Sequence, residues 1–225
     1  MKKGYWKRKL KEFFLPPGNL YWMWVLEMGF SLKSFQGFFK NIVAVEPSKK
    51  LFDKINSKCS GKKFSLINKN FENFNTPKKF DFVLASYVIH YFKNPVFQLK
   101  RIKSMLKPGG KLLLISNMPD KGSYGKFYIK FKKMLFDKLD PCVYNTFPGF
   151  LRRSGFKFKK LKLKTHIRTP NKKGFLSMVE LIFDIDQNKI SKKIKDQMDD
   201  YLKKRFGNGP TTFDLYSVIF VCSKR

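Results

Sequence analysis

The stretch from Phe80 to Ser116 most constrains how this chain can fold. Phe80–Ala85 is a short apolar run, typical of a strand that is buried on both faces. Pro95 suits the first turn of a helix, and apolar residues then recur at helical spacing until Pro108-Gly109-Gly110 turns the chain into a second strand candidate, Lys111–Ile115. A strand, helix and strand of this size form a right-handed unit with parallel strands. The pattern therefore predicts an α/β sheet with helices on both faces.

Shorter segments on both sides continue the alternation of strands and helices. Before the stretch, the strand candidates are Tyr21–Met28, Ile42–Val45 and Phe64–Ile67. After it, helical patterns cover Phe127–Leu139, Thr146–Ser154, Phe175–Asp186 and Ser191–Arg205, and strand patterns cover Phe156–Ile167 and Phe213–Cys222. This order predicts a doubly wound, mostly parallel sheet. A length of 225 residues fits a single domain.

The composition adds an extreme positive charge. Lysine and arginine number 48 against 16 acidic residues, which gives a formal charge of +32 at pH 7. Such a charge indicates a polyanionic partner such as RNA, or an anionic membrane surface. It also fits the amino-acid usage of an AT-rich genome, because only 7 of the 48 basic residues are arginine and the lysines are spread along the chain. The sequence leaves both interpretations open.

Cysteine spacing and apolar run length limit the class of protein. Cys59, Cys142 and Cys222 are far apart and form no CxxC pair or Cys/His cluster, so we expect no metal site and no disulfide framework. Reduced thiols in the cytoplasm are the default for such a chain. Pro16-Pro17 and Glu27 interrupt what would otherwise resemble a signal peptide. No apolar run reaches the roughly 18 residues of a spanning helix, so no membrane-spanning segment is expected.

Several segments together resemble the class I S-adenosylmethionine-dependent methyltransferases of the type 11/23 branch. Phe80–Ser116 has that family's FD-led strand, histidine-containing loop and LKPGG turn. Val25–Phe35, VLEMGFSLKSF, lies where the family's glycine motif stands, and Asn41–Ser48, NIVAVEPS, is similar to its second strand. Asn68–Phe74 and Phe150–Phe156 are similar to two further family segments. The resemblance implies a Rossmann-like, seven-stranded sheet and S-adenosylmethionine as the cofactor. It also implies that residues 118–145 and 168–210 are insertions that form a lid over the substrate; the alternative is that they form a second packing layer.

The resemblance also implies roles for residues at the carboxyl ends of the predicted strands, which is where open α/β sheets bind ligands. Glu27 would lie near the cofactor's amino group, and Glu46 would accept hydrogen bonds from both ribose hydroxyls. Asn70 and Phe71 would contact the adenine, and Ser86 would flank the methionine part. The full set of implied cofactor-binding residues is Glu27, Gly29, Phe30, Ser31, Glu46, Pro47, Asn70, Phe71 and Ser86.

The glycine motif departs from the family pattern. Of its three glycines only Gly29 is present, and Ser31 and Lys33 stand at the next two positions. Lys33 brings a side chain and a positive charge to the place where the family's backbone approaches a positively charged sulfonium. Three interpretations follow. The chain is an enzyme that methylates a small molecule, an enzyme that methylates RNA, or a catalytically inactive methyltransferase-like protein that binds RNA or a protein partner.

His90 is the candidate catalytic base. It lies in the loop after the Phe80–Ala85 strand, close in sequence to Tyr87, which would flank the transferred methyl group. Positioning the acceptor against that group can supply much of the catalysis, and a base is needed only for some acceptors. The alternative is that His90 caps or packs the following helix.

Overall fold

A computed structural model of the protein describes residues 21–25, 41–57, 64–118, 121–135, 145–183 and 190–224. Part of the predicted cofactor site lies outside these residues, namely Glu27, Gly29, Phe30, Ser31 and the neighbouring Lys33. Their roles therefore stay predictions.

The described elements alternate as the sequence predicts. The strands are β1 (Tyr21–Val25), β2 (Asn41–Val45), β3 (Phe64–Ile67), β4 (Phe80–Ser86), β5 (Leu106–Asn117), β6 (Phe156–Thr169) and β7 (Thr211–Lys224). The helices are α1 (Lys49–Asn56), α2 (Pro95–Met105), α3 (Gly122–Leu135), α4 (Phe147–Arg153), α5 (Lys172–Phe183) and α6 (Lys192–Phe206). Short 3-10 turns lie at Phe71–Asn73 and Ile89–Tyr91.

Parallel pairing defines the centre of the sheet. β1 lies between β2 and β4, and Val25 is opposite both Val45 and Ala85. β3 pairs with β2 and β5 pairs with β4, again in parallel, within the strand order β3-β2-β1-β4-β5-β7-β6. The chain moves outward in one direction from β1 to β3 and then in the other from β4, so β1 and β4 form the switch point at which such sheets bind ligands. The predicted α/β class is confirmed.

β7 runs antiparallel to its neighbours. The Lys224 ammonium donates to the carbonyl of Leu106, whereas the Met118 amide donates to the carbonyl of Tyr216 2.8 Å away. Residue numbers in β7 thus fall as those in β5 rise, and side-chain contacts pair β6 with β7 in the same inverse order. The sheet is therefore mixed.

The LKPGG turn differs from its predicted form. The helical pattern extended to Leu106, but α2 ends at Met105 and Leu106 already belongs to β5. Phe80 is opposite Leu106 and Phe82 is opposite Lys111, so residues 107–110 bulge out of the strand. Gly109 has a φ of +75°, and a Cβ at Gly110 would lie 2.9 Å from the carbonyl oxygen of Phe80, so the bulge requires both glycines.

Helix α2 has a well specified start and a buried apolar face. The Asn94 side chain accepts a hydrogen bond from the Phe97 amide at 3.0 Å, and Pro95 occupies the first turn. Leu99 and Ile102 are buried together with the interior strand residues Val83, Ala85, Leu112 and Leu114. Burying these side chains stabilises the pairing on which the candidate site depends.

The described residues form two compact units. The first falls within residues 1–116, 145–161 and 219–225, and the second falls within residues 117–144 and 162–218. The core of the second is aromatic and contains the fully buried side chains Phe127, Phe131, Phe175 and Phe213. The single domain with lid insertions stays a prediction. No described helix is long and apolar enough to cross a membrane, and no three metal-ligating side chains cluster within the described ranges.

Candidate active site

Glu46 and Ser86 stand at equivalent places on either side of the central strand. Glu46 directly follows Val45, Ser86 directly follows Ala85, and both of those preceding residues are opposite Val25. Neighbouring strands lie about 4.8 Å apart, so the backbones of Glu46 and Ser86 are separated by roughly 10 Å across the end of β1. The registers therefore bring two predicted cofactor residues to one edge of the sheet.

The Glu46 side chain is buried and held in place by backbone groups. It is 1% exposed, and its Oε1 accepts a hydrogen bond from the Ser48 amide at 2.8 Å. Ser48 in turn caps α1 by accepting a hydrogen bond from the Leu51 amide. The amino end of a helix favours a nearby negative charge, so this position stabilises the Glu46 carboxylate.

Asn68 has a positioning role that the sequence did not reveal. Its Nδ2 donates to the carbonyl oxygens of Glu46, at 2.8 Å, and Pro47, at 3.1 Å. The Glu46 amide also donates to the Ile67 carbonyl at 3.0 Å. The exposed Pro47 therefore lies in a turn that is tied to the end of β3. The sequence signal for this role is an asparagine placed directly after a strand. It indicates contacts with Glu46 and Pro47 only once the pairing of β2 with β3 is known.

Asn70 and Phe71 follow β3 but occupy different environments. Asn70 is exposed, and its side chain makes no capping hydrogen bond to the 3-10 turn that it precedes. Phe71 is 3% exposed and stacks on Phe92, with ring centroids 5.5 Å apart. Asn70 is thus accessible to a ligand, whereas Phe71 packs in the interior and its contact with adenine stays a prediction.

Arg101 organises the segment that carries these two residues. Its guanidinium donates to the carbonyls of Phe71, Glu72 and Phe74 and to the side chains of Asn75 and Gln98, at distances between 2.6 and 3.3 Å. It also lies 5.2 Å from the centroid of the Phe71 ring. Only the fold shows that Arg101, on α2, fixes residues 71–75.

The end of β4 combines two unfavourable features. Ser86 is 1% exposed, and among the described residues its hydroxyl has no hydrogen-bond partner. Tyr87 is 3% exposed and has a φ of +58°, in the left-handed region that side chains other than glycine rarely adopt. An unsatisfied buried hydroxyl and a left-handed tyrosine each cost about 1–3 kcal/mol. Such features concentrate at functional sites, where a ligand can use them.

His90 follows on the same loop, in the 3-10 turn Ile89–Tyr91. It is partly exposed, and its ring centroid lies 4.1 Å from that of Tyr91, which is 59% exposed. Ile89 beside it is buried and anchors the turn. The structure therefore places Tyr87 and His90 on one loop with Ser86, and both the catalytic and the packing interpretations of His90 stay predictions.

Comparison with known proteins identifies the fold and the domain. A methyltransferase-domain family model matches residues 28–114. A protein described as a methyltransferase from Bacillus halodurans is 17% identical, with a TM-score of 0.63 and 96% of each chain covered. The Bacillus subtilis protein YcgJ is 11% identical, with a TM-score of 0.65 and 97% of each chain covered.

Phosphoethanolamine N-methyltransferase 2 of Haemonchus contortus, solved with S-adenosylmethionine, is 15% identical with a TM-score of 0.58; the alignment covers 98% of this chain and 53% of that one. No curated protein sequence matches this chain. The family match and the shared fold confirm the predicted resemblance to class I S-adenosylmethionine-dependent methyltransferases: residues 28–114 match the methyltransferase-domain model, and the chain shares the fold of solved proteins described as methyltransferases.

Proposed function

We propose that the protein is a methyltransferase that uses S-adenosylmethionine, bound across a doubly wound, seven-stranded sheet, to methylate a small molecule. The observation that carries the proposal is that Glu46 and Ser86 lie on opposite sides of the end of β1, at the switch point. A buried carboxylate held by a backbone amide and a buried hydroxyl without a described partner flank the end of the same strand. A ligand that spans β2, β1 and β4 would use both.

The polar groups at this edge fit the cofactor's chemistry. Glu46 would accept hydrogen bonds from the ribose hydroxyls, and the exposed Asn70 side chain would bind the adenine amino group. The buried Ser86 hydroxyl would satisfy its hydrogen-bonding capacity on the methionine part. Glu27, Gly29, Phe30, Ser31, Pro47 and Phe71 complete the proposed set. When bound, S-adenosylmethionine supplies an electrophilic methyl group on a sulfonium.

The loop after β4 would orient the acceptor. Tyr87 has a left-handed backbone conformation, and its amide donates a hydrogen bond to the Ile115 carbonyl at 2.8 Å. It would fix the path of the chain beside the reacting groups. His90 would take a proton from an acceptor hydroxyl or amine. Catalysis would come mainly from positioning, which can supply several kcal/mol. The cytoplasmic location expected from the cysteines stays a prediction.

Calorimetric titration with S-adenosylhomocysteine tests the cofactor site. We expect the unmodified protein to bind it and Glu46→Gln to bind at least about tenfold more weakly, because hydrogen bonds to a charged group contribute about 1.5–3 kcal/mol. Asp53→Asn is the matched control, since Asp53 is an exposed carboxylate on α1 that pairs with Lys49 at 2.7 Å. Equal losses in the two variants, or no binding by the unmodified protein at millimolar ligand, would overturn the proposal and favour the inactive binding protein.

A further inference from the structure

A strongly basic pocket lies in the first compact unit. It is a depression that is largely open to solvent, with a volume of about 500 Å³. Four of the residues that line it are cationic and none is acidic. The lining residues are Lys100, Lys103, Ser104, Arg153, Ser154, Gly155 and Lys224.

Three separate elements bring these cations together. Lys100 and Lys103 project from α2, Arg153 ends α4, and Lys224 ends β7. Gly155 has a φ of +75°, and a Cβ there would lie 2.5 Å from the ammonium nitrogen of Lys103. The glycine thus allows the chain to turn from α4 into β6 and leaves room for the Lys103 side chain.

The positive charge of the pocket is not neutralised locally. Within the described part of the chain, Lys100, Lys103 and Arg153 form no ion pair. The two serine hydroxyls donate to carbonyl groups, Ser104 to Arg101 at 2.8 Å and Ser154 to Phe150 at 2.7 Å. Like charges crowded into one concave surface repel each other, and an anion that enters between them relieves that repulsion.

The pocket is distinct from the candidate active site. Lys224 donates to the carbonyl of Leu106, and Leu106 is opposite Phe80 at the start of β4. Ser86 is at the other end of that strand, six residues further on, which corresponds to about 20 Å. A ligand in the pocket would therefore not occupy the cofactor's place.

We propose that this pocket binds the phosphate groups of a phosphorylated ligand. Lysine ammonium groups attract phosphate as point charges, and the forked guanidinium of Arg153 can bind two phosphate oxygens at once. The volume accommodates more than one phosphate group. The ligand is either a free polyphosphate or nucleotide, or the backbone of an RNA strand, and all present the same chemistry. This inference does not depend on methyl transfer.

Calorimetric titration with inorganic tripolyphosphate in 0.15 M NaCl tests the proposal. The triple variant Lys100→Gln/Lys103→Gln/Arg153→Gln is expected to lose affinity by more than about tenfold, because it removes three charge-assisted contacts. The matched control, Lys192→Gln/Lys193→Gln/Lys195→Gln, removes the same charge from exposed positions on α6 and is expected to bind within twofold of the unmodified protein. The double variant Lys100→Arg/Lys103→Arg keeps the charge and should keep the binding.

A second titration with a single-stranded RNA 12-mer at several salt concentrations identifies the source of the phosphate. If RNA occupies the pocket, the slope of log affinity against log salt falls by about 2 in the pocket variant and less in the control. If only tripolyphosphate binding depends on the pocket, the ligand is a small phosphorylated molecule. Equal losses in the pocket variant and the α6 control, or no loss in either, would overturn the proposal and leave a diffuse effect of net charge.

Discussion

At the scale of single residues, the Ser86 hydroxyl gives a direct test of whether the site is built for a ligand. It is buried without a hydrogen-bond partner among the described residues. Ser86→Ala should therefore raise the free energy of unfolding by about 1 kcal/mol in the ligand-free protein, because it removes a polar group whose desolvation is not compensated. Urea unfolding followed by circular dichroism measures the change.

Ser154→Ala is the matched control for this substitution. Ser154 is also buried, at 3% exposure, but its hydroxyl donates to the Phe150 carbonyl at 2.7 Å. Its loss should destabilise the protein by about 1 kcal/mol, the opposite sign. With saturating S-adenosylhomocysteine, the advantage of Ser86→Ala should disappear, because the ligand then satisfies the hydroxyl. A destabilising effect of Ser86→Ala without ligand would contradict the interpretation.

The residues of the site differ in how far the sequence could predict them. Ser48 was predictable as a helix cap because capping depends on residues three positions apart. Asn68 and Arg101 were not assigned their roles, because their partners lie 22 and up to 30 residues away in the chain. The left-handed conformation of Tyr87 had no signal either, since a tyrosine does not favour it. Local chemistry was readable, and contacts set by the tertiary fold were not.

At the scale of elements, Arg101 connects helix α2 to the segment after β3. Arg101→Lys should lower the free energy of unfolding by about 2 kcal/mol, because an ammonium cannot reproduce the fork that binds several carbonyls. It should also weaken S-adenosylhomocysteine binding, since residues 71–75 would no longer be fixed beside Asn70. Urea unfolding and calorimetry measure the two effects.

The control is Arg152→Lys, on α4. Arg152 is exposed, and its guanidinium lies 5.7 Å from the ring centroid of Phe158, so this change should cost under about 0.5 kcal/mol. Similar losses for the two arginines would mean that the Arg101 hydrogen bonds contribute little. Weakened ligand binding without a loss of stability would separate positioning from folding.

Element existence was predicted better than element ends. The strand pattern at Phe64–Ile67 matches β3, and α6 begins one residue after the predicted start, behind the Ser191 cap. In contrast, α3 begins at Gly122, five residues before the predicted start, and β5 begins inside the predicted helix. Periodicity reveals which face is buried, whereas a strand's first residue depends on its partner, as Phe80 shows for Leu106.

At the scale of the whole molecule, the charge of +32 has both a general and a local consequence. Most of the basic side chains that the structure describes are exposed, and their mutual repulsion opposes the compact state. The pocket around Lys103 and Arg153 concentrates several of them. The amino-acid usage of a genome can explain the first arrangement, and it does not require the second. Salt dependence distinguishes general repulsion from binding at the pocket, because salt screens all surface charges whereas a bound ligand contacts only the few in the pocket.

Raising NaCl from 0.01 M to 0.1 M shortens the Debye length from about 30 Å to about 10 Å. We expect the urea midpoint of the unmodified protein to rise with an unchanged slope. Salt should weaken the repulsion among the excess cations more than it weakens the attraction in short-range ion pairs such as Lys107–Asp81, at 2.8 Å. A falling midpoint would contradict this balance of charges. Replacing NaCl by tripolyphosphate at equal ionic strength should raise the midpoint further in the unmodified protein and less in the Lys100/Lys103/Arg153 variant, since a ligand that binds only the folded state adds its own stabilisation.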